Sequence, residues 1–355
     1  MVKKSILLTG TLFYIFTISL YAKCDDYNQT KKYYAYIHKA ESAILNDDFV
    51  SASTNYLKAF KNLKYPFPND LFAATICMLK SGEVKLEKLK NWNKIYAYQS
   101  GVNLQEKCAS WDNQKGTSYQ DLLTTEEWDF VTKDTLNKSD YAIFIRNKLK
   151  KIKNNDQNIR HKMDEQYGTQ KYWIPESKKQ IMYVDSINLW EVDKIISDEE
   201  FNVFEAGIEG WGDIYLVVLH NSQWNRSTLI AKKLKELVKQ GGLSSSVFAY
   251  LYDRFCHNQE DSNASNLNCI DGYYYGETLY WIYGDKYHTY PNFSPKQLEE
   301  INKNRADIFL SSIQIRVKQL IYQVQKENLF FIMGNSWPSI SDKLLDDIKK
   351  GKLKV

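Results

Sequence analysis

The sequence predicts a mainly α-helical protein: antiparallel helix pairs at the N-terminal end, then a larger helical domain carrying one small β-hairpin. Three observations predict it. Apolar residues recur at three- and four-residue spacing through most of the 355 residues, as one face of a helix requires. Alternation of strand type occurs at one place, "TLYWIYGDKYHTY", across a Gly-Asp pair suited to a two-residue turn. The breaks between periodic segments are short and polar or glycine-bearing, which suits helices packed as close neighbours.

Residues 1–22, "MVKKSILLTGTLFYIFTISLYA", place Lys3 and Lys4 ahead of an apolar stretch from Ile6 to Ala22, the layout of a secretory signal peptide. The expectation is export to a periplasmic or extracellular space, with the alternative that the segment is retained as an anchor. The Lys before Cys24 argues against a lipidated cysteine. Without Lys3 and Lys4 the remaining basic residues exceed the 43 acidic ones by about two, which gives no electrostatic case for nucleic acid.

Helix pairs follow over 23–110. "KKYYAYIHKAESAIL" has helical spacing, "NDDF" breaks it, and "VSASTNYLKAFKNL" resumes with Ala52, Tyr56 and Ala59 on one face. Small residues flanking an aromatic on a packing face resemble a tetratricopeptide-like unit, with its terminal proline displaced to Pro66 and Pro68. A second pair is "NDLFAATICMLKSG" and "EVKLEKLKNWNKIYAYQSG", closed by Gly101. Residues 111–135 are expected to be a linker and an entry helix: "ASWDNQKGTSYQDLLT" loses periodicity, and "TTEEWDFVTKDTL" opens with Thr ahead of acids, a favourable N-terminus.

The larger domain is expected over 136–335. "YAIFIRNKLKKIKNNDQNIRHKMDEQYG" reads as a long amphipathic helix broken near Asn154, and "IMYVDSINLWEVDKIIS" as another. Gly207, Gly210 and Gly212 mark a turn ahead of the apolar run that ends at His220. "STLIAKKLKELVKQGG" and "LSSSVFAYLYDRF" are further helices, the hairpin falls near 278–290, helices resume from "SPKQLEEI", and 336–355 form a charged tail.

Five cysteines in an exported chain make disulfides an expectation. Cys256 and Cys269 bracket a polar segment rich in Asn and Ser; a bridge there would contribute about 3 kcal/mol. Cys77 and Cys108 form the next candidate pair, against the reading that Cys77 is a small buried hydrophobe.

Chemistry concentrates in the second domain. Asp156 and Arg160 stand four apart and Asp185 and Asn188 three apart, each pair on one helical face. Asp253 and Arg254 sit inside an aromatic and aliphatic segment, where a charge needs a partner. At these residues the chain resembles an uncharacterised bacterial domain-of-unknown-function family. The resemblance covers about residues 140–320 and rests on Asp156, Gln157 and Arg160; on Asp185 and Asn188; on His220; on "AYLYDR"; on Tyr275 and Gly276; and on Arg305. It departs at Tyr273, Glu277 and Thr278. What it implies is a shared helical fold with a polar centre formed by Asp156, Gln157, Arg160, Asp185, Asn188, Tyr275 and Arg305, and no particular reaction.

Two functional readings stand. One is a binding or interaction module whose partner is a protein or small molecule, with tyrosines and Trp281 of the hairpin run as a possible stacking surface. The alternative is a hydrolase or transferase with His220 as general base, oriented by Asp185 or Asp253, and Arg254 or Arg305 holding an anionic group. His220, Asp253 and Arg254 are thus the catalytic candidates; a capping or buried hydrogen-bonded His220 is the competing assignment. No nucleophile elbow, phosphate-cradling loop or His-rich metal spacing is present, so no cofactor or metal is expected. Contact with a membrane is expected only through the N-terminal segment, if retained.

Overall fold

A computed structural model describes residues 26–325 apart from 116, 199–200, 222–224, 260–274, 278–280, 284–285 and 289–292. Among the described residues the architecture is helical, and no helix is long and apolar enough to cross a membrane. Helix α1 covers 26–44. It is followed by α2 (Phe49–Ala59), α3 (Pro68–Ser81), α4 (Leu86–Ser100), α5 (Leu104–Lys115) and α6 (Thr125–Thr132). The larger part contains α7 (Asp140–Tyr167), α8 (Pro175–Ile196), α9 (Val203–His220), α10 (Asn225–Lys239), α11 (Ser245–Gln259), α12 (Pro295–Asp307) and α13 (Ile313–Gln325).

Local chemistry explains the early boundaries. Asp47 has a positive φ of 56° in the turn after α1, and the Asp48 carboxylate caps α2 through Ser51 N. Ala52, Tyr56 and Ala59 are all buried, as their spacing requires. Pro68 occupies the first turn of α3, where a missing N–H costs nothing, and Gly82 and Gly101 close α3 and α4 in left-handed conformations. Thr124 and Glu127 form a reciprocal capping box at α6.

Several expectations are corrected. The stretch expected as a loop from 109 is helical to Lys115, because Cys108 and Trp111 are buried. Asp112 then gathers the descending chain by accepting from Tyr119 N and Gln120 N at 2.9 and 2.8 Å. α7 runs unbroken through Asn154: its buried stripe, from Ala142 to Met163, passes that point at Ile152 and Asp156. The glycines before His220 lie inside α9, and only Gly207 departs from helical geometry, with φ 71° and ψ 178°. A side chain there would meet Gln99 O at 2.9 Å and Arg146 at 3.0 Å, and one at Gly210 would meet Leu149 at 3.0 Å. These glycines let α9 lie close against α4 and α7. The hairpin near 278–290 is not supported as an element of the fold. Two three-residue segments, Trp281–Tyr283 and Lys286–His288, are in antiparallel register. Their side chains are outside the described residues, so the stacking surface expected of Trp281 is not described.

The cysteines also differ from expectation. Cys77 and Cys108 are both buried and free, so they do not form the second expected bridge; each serves as a small core hydrophobe. Cys256, buried in α11, is disulfide-bonded, and Cys269, the partner expected for it, lies outside the described residues. The charged tail, 336–355, also lies outside them.

Two cores organise the chain. One is built from α1 to α6, and Phe309, between α12 and α13, and Tyr322 of α13 join it. The other gathers α7 to α11 with Tyr275 and Ile308. They are tied across by Tyr34 Oη, which accepts from Ser245 N at 2.9 Å; Tyr34 stacked on Phe309 and Gln319 donating to Glu41 at 3.0 Å hold the C-terminal segment to the first core. A further stack, Tyr65 on Phe204 on Tyr98, has centroid spacings of 3.6 and 4.5 Å.

Candidate functional site

α7, α8 and α9 bring the central polar residues together. Three and four residue spacings put Asp156 and Arg160 on the inner face of α7, and Asp185 and Asn188 on the inner face of α8. His220 is the last residue of α9, where the helix's negative end favours a cation. Arg160 reaches Asp185 with two parallel bonds of 2.9 Å and Asp156 Oδ1 with another of 2.9 Å, the fork geometry that suits guanidinium and carboxylate. His220 Nδ1 lies 3.0 Å from both oxygens of Asp156, and Gln157 donates to Asp156 Oδ2 at 2.6 Å.

Burial differs across this centre. Asp156 is fully enclosed, whereas the His220 side chain is 25% exposed. Burial pushes the Asp185 carboxyl above the ordinary carboxylate range, partly offset by Arg160. Two buried donors, Arg160 Nε and Asn188 Nδ2, have no hydrogen-bond partner, so the centre has unused capacity to hold an oxygen atom. Chemically, a carboxylate fixes one imidazole nitrogen, while Nε2 has no protein partner among the described residues.

His220 bonds Asp156, and no hydrogen bond joins it to Asp253 or Arg254 among the described residues. Asp253 accepts from Tyr275 N at 2.7 Å and from Glu277 N, holding the segment after α11 against that helix. Arg254 lies beside Tyr215 and Tyr250 and bonds the Tyr215 hydroxyl, while burial raises the Tyr215 phenol above its ordinary range. Tyr275 and Arg305 are likewise absent from the His220 centre. Arg305 donates to Tyr275 O at 2.7 Å and Glu277 Oε2 at 2.8 Å, and Arg316 lies 3.0 Å from Glu277 Oε1. Gly276, with φ 61°, comes so close to Ile313 that a side chain would overlap it at 2.7 Å. The Tyr-Gly pair is therefore part of the packing of α11 against α12 and α13.

Sequence reasoning missed two features. One is a polar chamber of about 60 Å³, lined by residues including His38, Glu41, Asp70, Glu277, Arg305 and Arg316, with room for a few waters. Burial and the charge of Asp70 push Glu41 up to about 8, burial raises Asp70 to about 6, and burial lowers His38 to about 4. The other is a cleft of about 790 Å³ between the helix pairs and the second core, sharing Asn69 and Ser244 with the chamber. Phe204, Trp211 and Tyr215 bring one face of α9 to the cleft; His220, five residues beyond Tyr215, falls about 140° round the helix and faces α7. No local motif marks either feature, because each is assembled from the ends of several helices.

Comparison with protein-family models, curated proteins and solved structures returned no match. Among the described residues no group of three or more His, Cys, Asp or Glu is placed to hold a metal ion.

Proposed function

We propose that this protein is an exported binding module that holds a small molecule in the cleft between its two cores. In this reading α1 to α4 form a tetratricopeptide-like scaffold. The second part is a member of the uncharacterised domain family it resembles, with a polar centre bracing α7, α8 and α9. The observation that carries the reading is the cleft itself. Its volume of about 790 Å³ falls in the range of small-molecule sites, and Tyr65, Trp211, Tyr215 and Tyr250 are half-buried along it. Aromatic surface left partly wet in a concavity is stabilised when a ligand covers it.

The test is titration with the neutral fluorescent dye phenylnaphthylamine. Saturable enhancement at a single site is expected, lost in Trp211→Glu at unchanged melting temperature. Unaltered dye binding by that variant, or no binding by the native protein, would overturn the reading.

A second reading is supported by the His220–Asp156 pair: a hydrolase or transferase in which His220 Nε2 takes a proton and Asp156, rather than Asp253, orients the ring. Arg160 Nε and Asn188 Nδ2 would then face a substrate oxygen. It predicts a hydrolytic activity that Asp156→Asn abolishes and Asp253→Asn lowers only through stability. Equal loss in both, tracking unfolding, counts against it.

A further inference from the structure

We infer that the ligand of the cleft is a neutral carbohydrate, an oligosaccharide of a few pyranose units; this rests on the binding reading above and names its chemical class. Three features of the lining converge on it.

The first is the kind of polar group present. The cleft is lined by six carboxamide side chains, Gln29, Asn62, Asn69, Gln99, Asn202 and Gln240, against two charged ones, Asp26 and Lys64, both of which are exposed. A carboxamide presents donor and acceptor side by side, which complements the paired hydroxyls of a sugar. Part of that capacity already orients the groups. Gln99 donates to Pro66 O at 3.2 Å and Asn62 to Lys58 O at 2.8 Å, so in these two the donor side holds the group and the oxygen is left for a ligand, whereas the Asn202 oxygen caps α9 by accepting from Glu205 N at 2.9 Å.

The second is the electrostatic balance of the backbone. α3, α9 and α11 begin at the cleft, with Pro68, Val203 and Ser244 at their N-terminal ends in its lining. α4 ends there at Gln99, α10 at Gln240, and the chain leaving α2 contributes Asn62. Helix starts carry partial positive charge and helix ends partial negative charge. Helix starts and helix ends both contribute, unlike the N-terminus-only arrangement that suits phosphate. The two charged side chains of the lining, Asp26 and Lys64, are opposite in sign and exposed, so no single-sign charge selects an ionic ligand.

The third is flat apolar surface on more than one wall. Trp211 of α9 and Tyr250 of α11 lie half-buried along the cleft, whereas the faces of Tyr65 and Phe204 cover one another at 3.6 Å. Aromatic faces cover the C–H face of a pyranose while its edge hydroxyls meet the amides.

The experiment is displacement of phenylnaphthylamine by cellotetraose, maltotetraose and chitotetraose, with an acidic oligogalacturonate as the charged comparison. At least one neutral oligosaccharide is expected to displace the dye. Tyr250→Ala should weaken that sugar about fivefold to tenfold while melting as the native protein does. If the dye binds and no neutral oligosaccharide displaces it, or only the acidic one does, the carbohydrate assignment fails and the binding reading survives. If the dye does not bind, the binding reading fails and the carbohydrate assignment with it.

Discussion

His220 Nδ1 sits 3.0 Å from each oxygen of the Asp156 carboxylate, symmetrically between them. That carboxylate has no solvent exposure, and it also receives Arg160 and Gln157. One buried anion therefore joins the end of α9 to the middle of α7, while Arg160 carries the connection on to Asp185 of α8. The arrangement separates what is enclosed, the acid and the guanidinium, from what is accessible, the imidazole.

This separation ranks three substitutions. Arg160→Met leaves two buried carboxylates without their shared cation, and should cost about 3–5 kcal/mol or more. Asp156→Ala should cost less, because Arg160 keeps Asp185. His220→Ala removes one charge-assisted bond from a partly exposed group, about 1.5–3 kcal/mol. Urea denaturation of the three variants checks the order. A His220→Ala cost equal to that of Arg160→Met would make the imidazole a structural member and remove the catalytic reading.

Gly207 makes a second prediction. Its φ of 71° and ψ of 178° lie in a region nearly closed to other residues, costing about 1–3 kcal/mol for a side chain. The Cβ would also overlap Gln99 O at 2.9 Å, a backbone atom that cannot swing aside. Gly207→Ala should therefore lower stability by about 2–5 kcal/mol when overpacking is included. Gly212→Ala, which meets nothing within 4 Å at the same helix, should be neutral or slightly stabilising. Thermal melting of the pair distinguishes a backbone requirement at Gly207 from general helix propensity.

The helices were legible because burial repeats at helical spacing: Ala52, Tyr56 and Ala59, or Ile145, Leu149 and Ile152, are read from the chain and are found inside. So too were Asp156, Arg160, Asp185 and Asn188 as one cluster, since i, i+3 and i, i+4 spacing fixes the face each occupies. Which acid His220 meets was not legible, because it depends on how α9 crosses α7, and that crossing is set by Gly207 and Gly210, residues that read locally as a turn. Arg305 and Asp253 read as members of the same polar centre. Their partners are main-chain groups of Tyr275 and Glu277, and bonds to backbone leave no signature in side-chain spacing. The cleft was illegible for the same reason that makes it useful: its walls come from helix termini far apart in the chain.

Arg305 supports a third prediction. It is 1% exposed and reaches Tyr275 O, Glu277 and Ser311 O, so it clamps the segment after α11 to α12 and α13. Arg305→Met should cost about 2–4 kcal/mol by leaving the Tyr275 and Ser311 carbonyls without their donor and Glu277 with Arg316 as its remaining cation. In the double variant with Glu277→Gln the loss should be less than the sum of the two single losses, since either single change already removes the shared bond. A double-mutant cycle by urea denaturation measures the coupling; strict additivity would show that the two side chains do not interact.

The chamber beside the cleft should make stability fall on the alkaline side of pH 6.5. Glu41 has its pKa raised from 4.5 to about 8, so between those values the folded protein holds a proton that the unfolded chain has released. Stability from this group is complete at low pH and is lost as pH rises toward 8. Asp70, raised from 3.8 to about 6, acts in the same sense over a lower window. His38, lowered from 6.5 to about 4, acts oppositely: the unfolded chain takes up the proton first, so stability is lost as pH falls below 6.5. Below pH 6 His38 and the two acids therefore offset one another, whereas from 6.5 to 8 Glu41 acts unopposed by His38 or Asp70. Urea unfolding at pH 6.5 and pH 8 should show a decline in the native protein and a smaller decline in Glu41→Gln, whose neutral amide retains the shape but not the proton. An equal decline in both would place the alkaline sensitivity elsewhere in the chain.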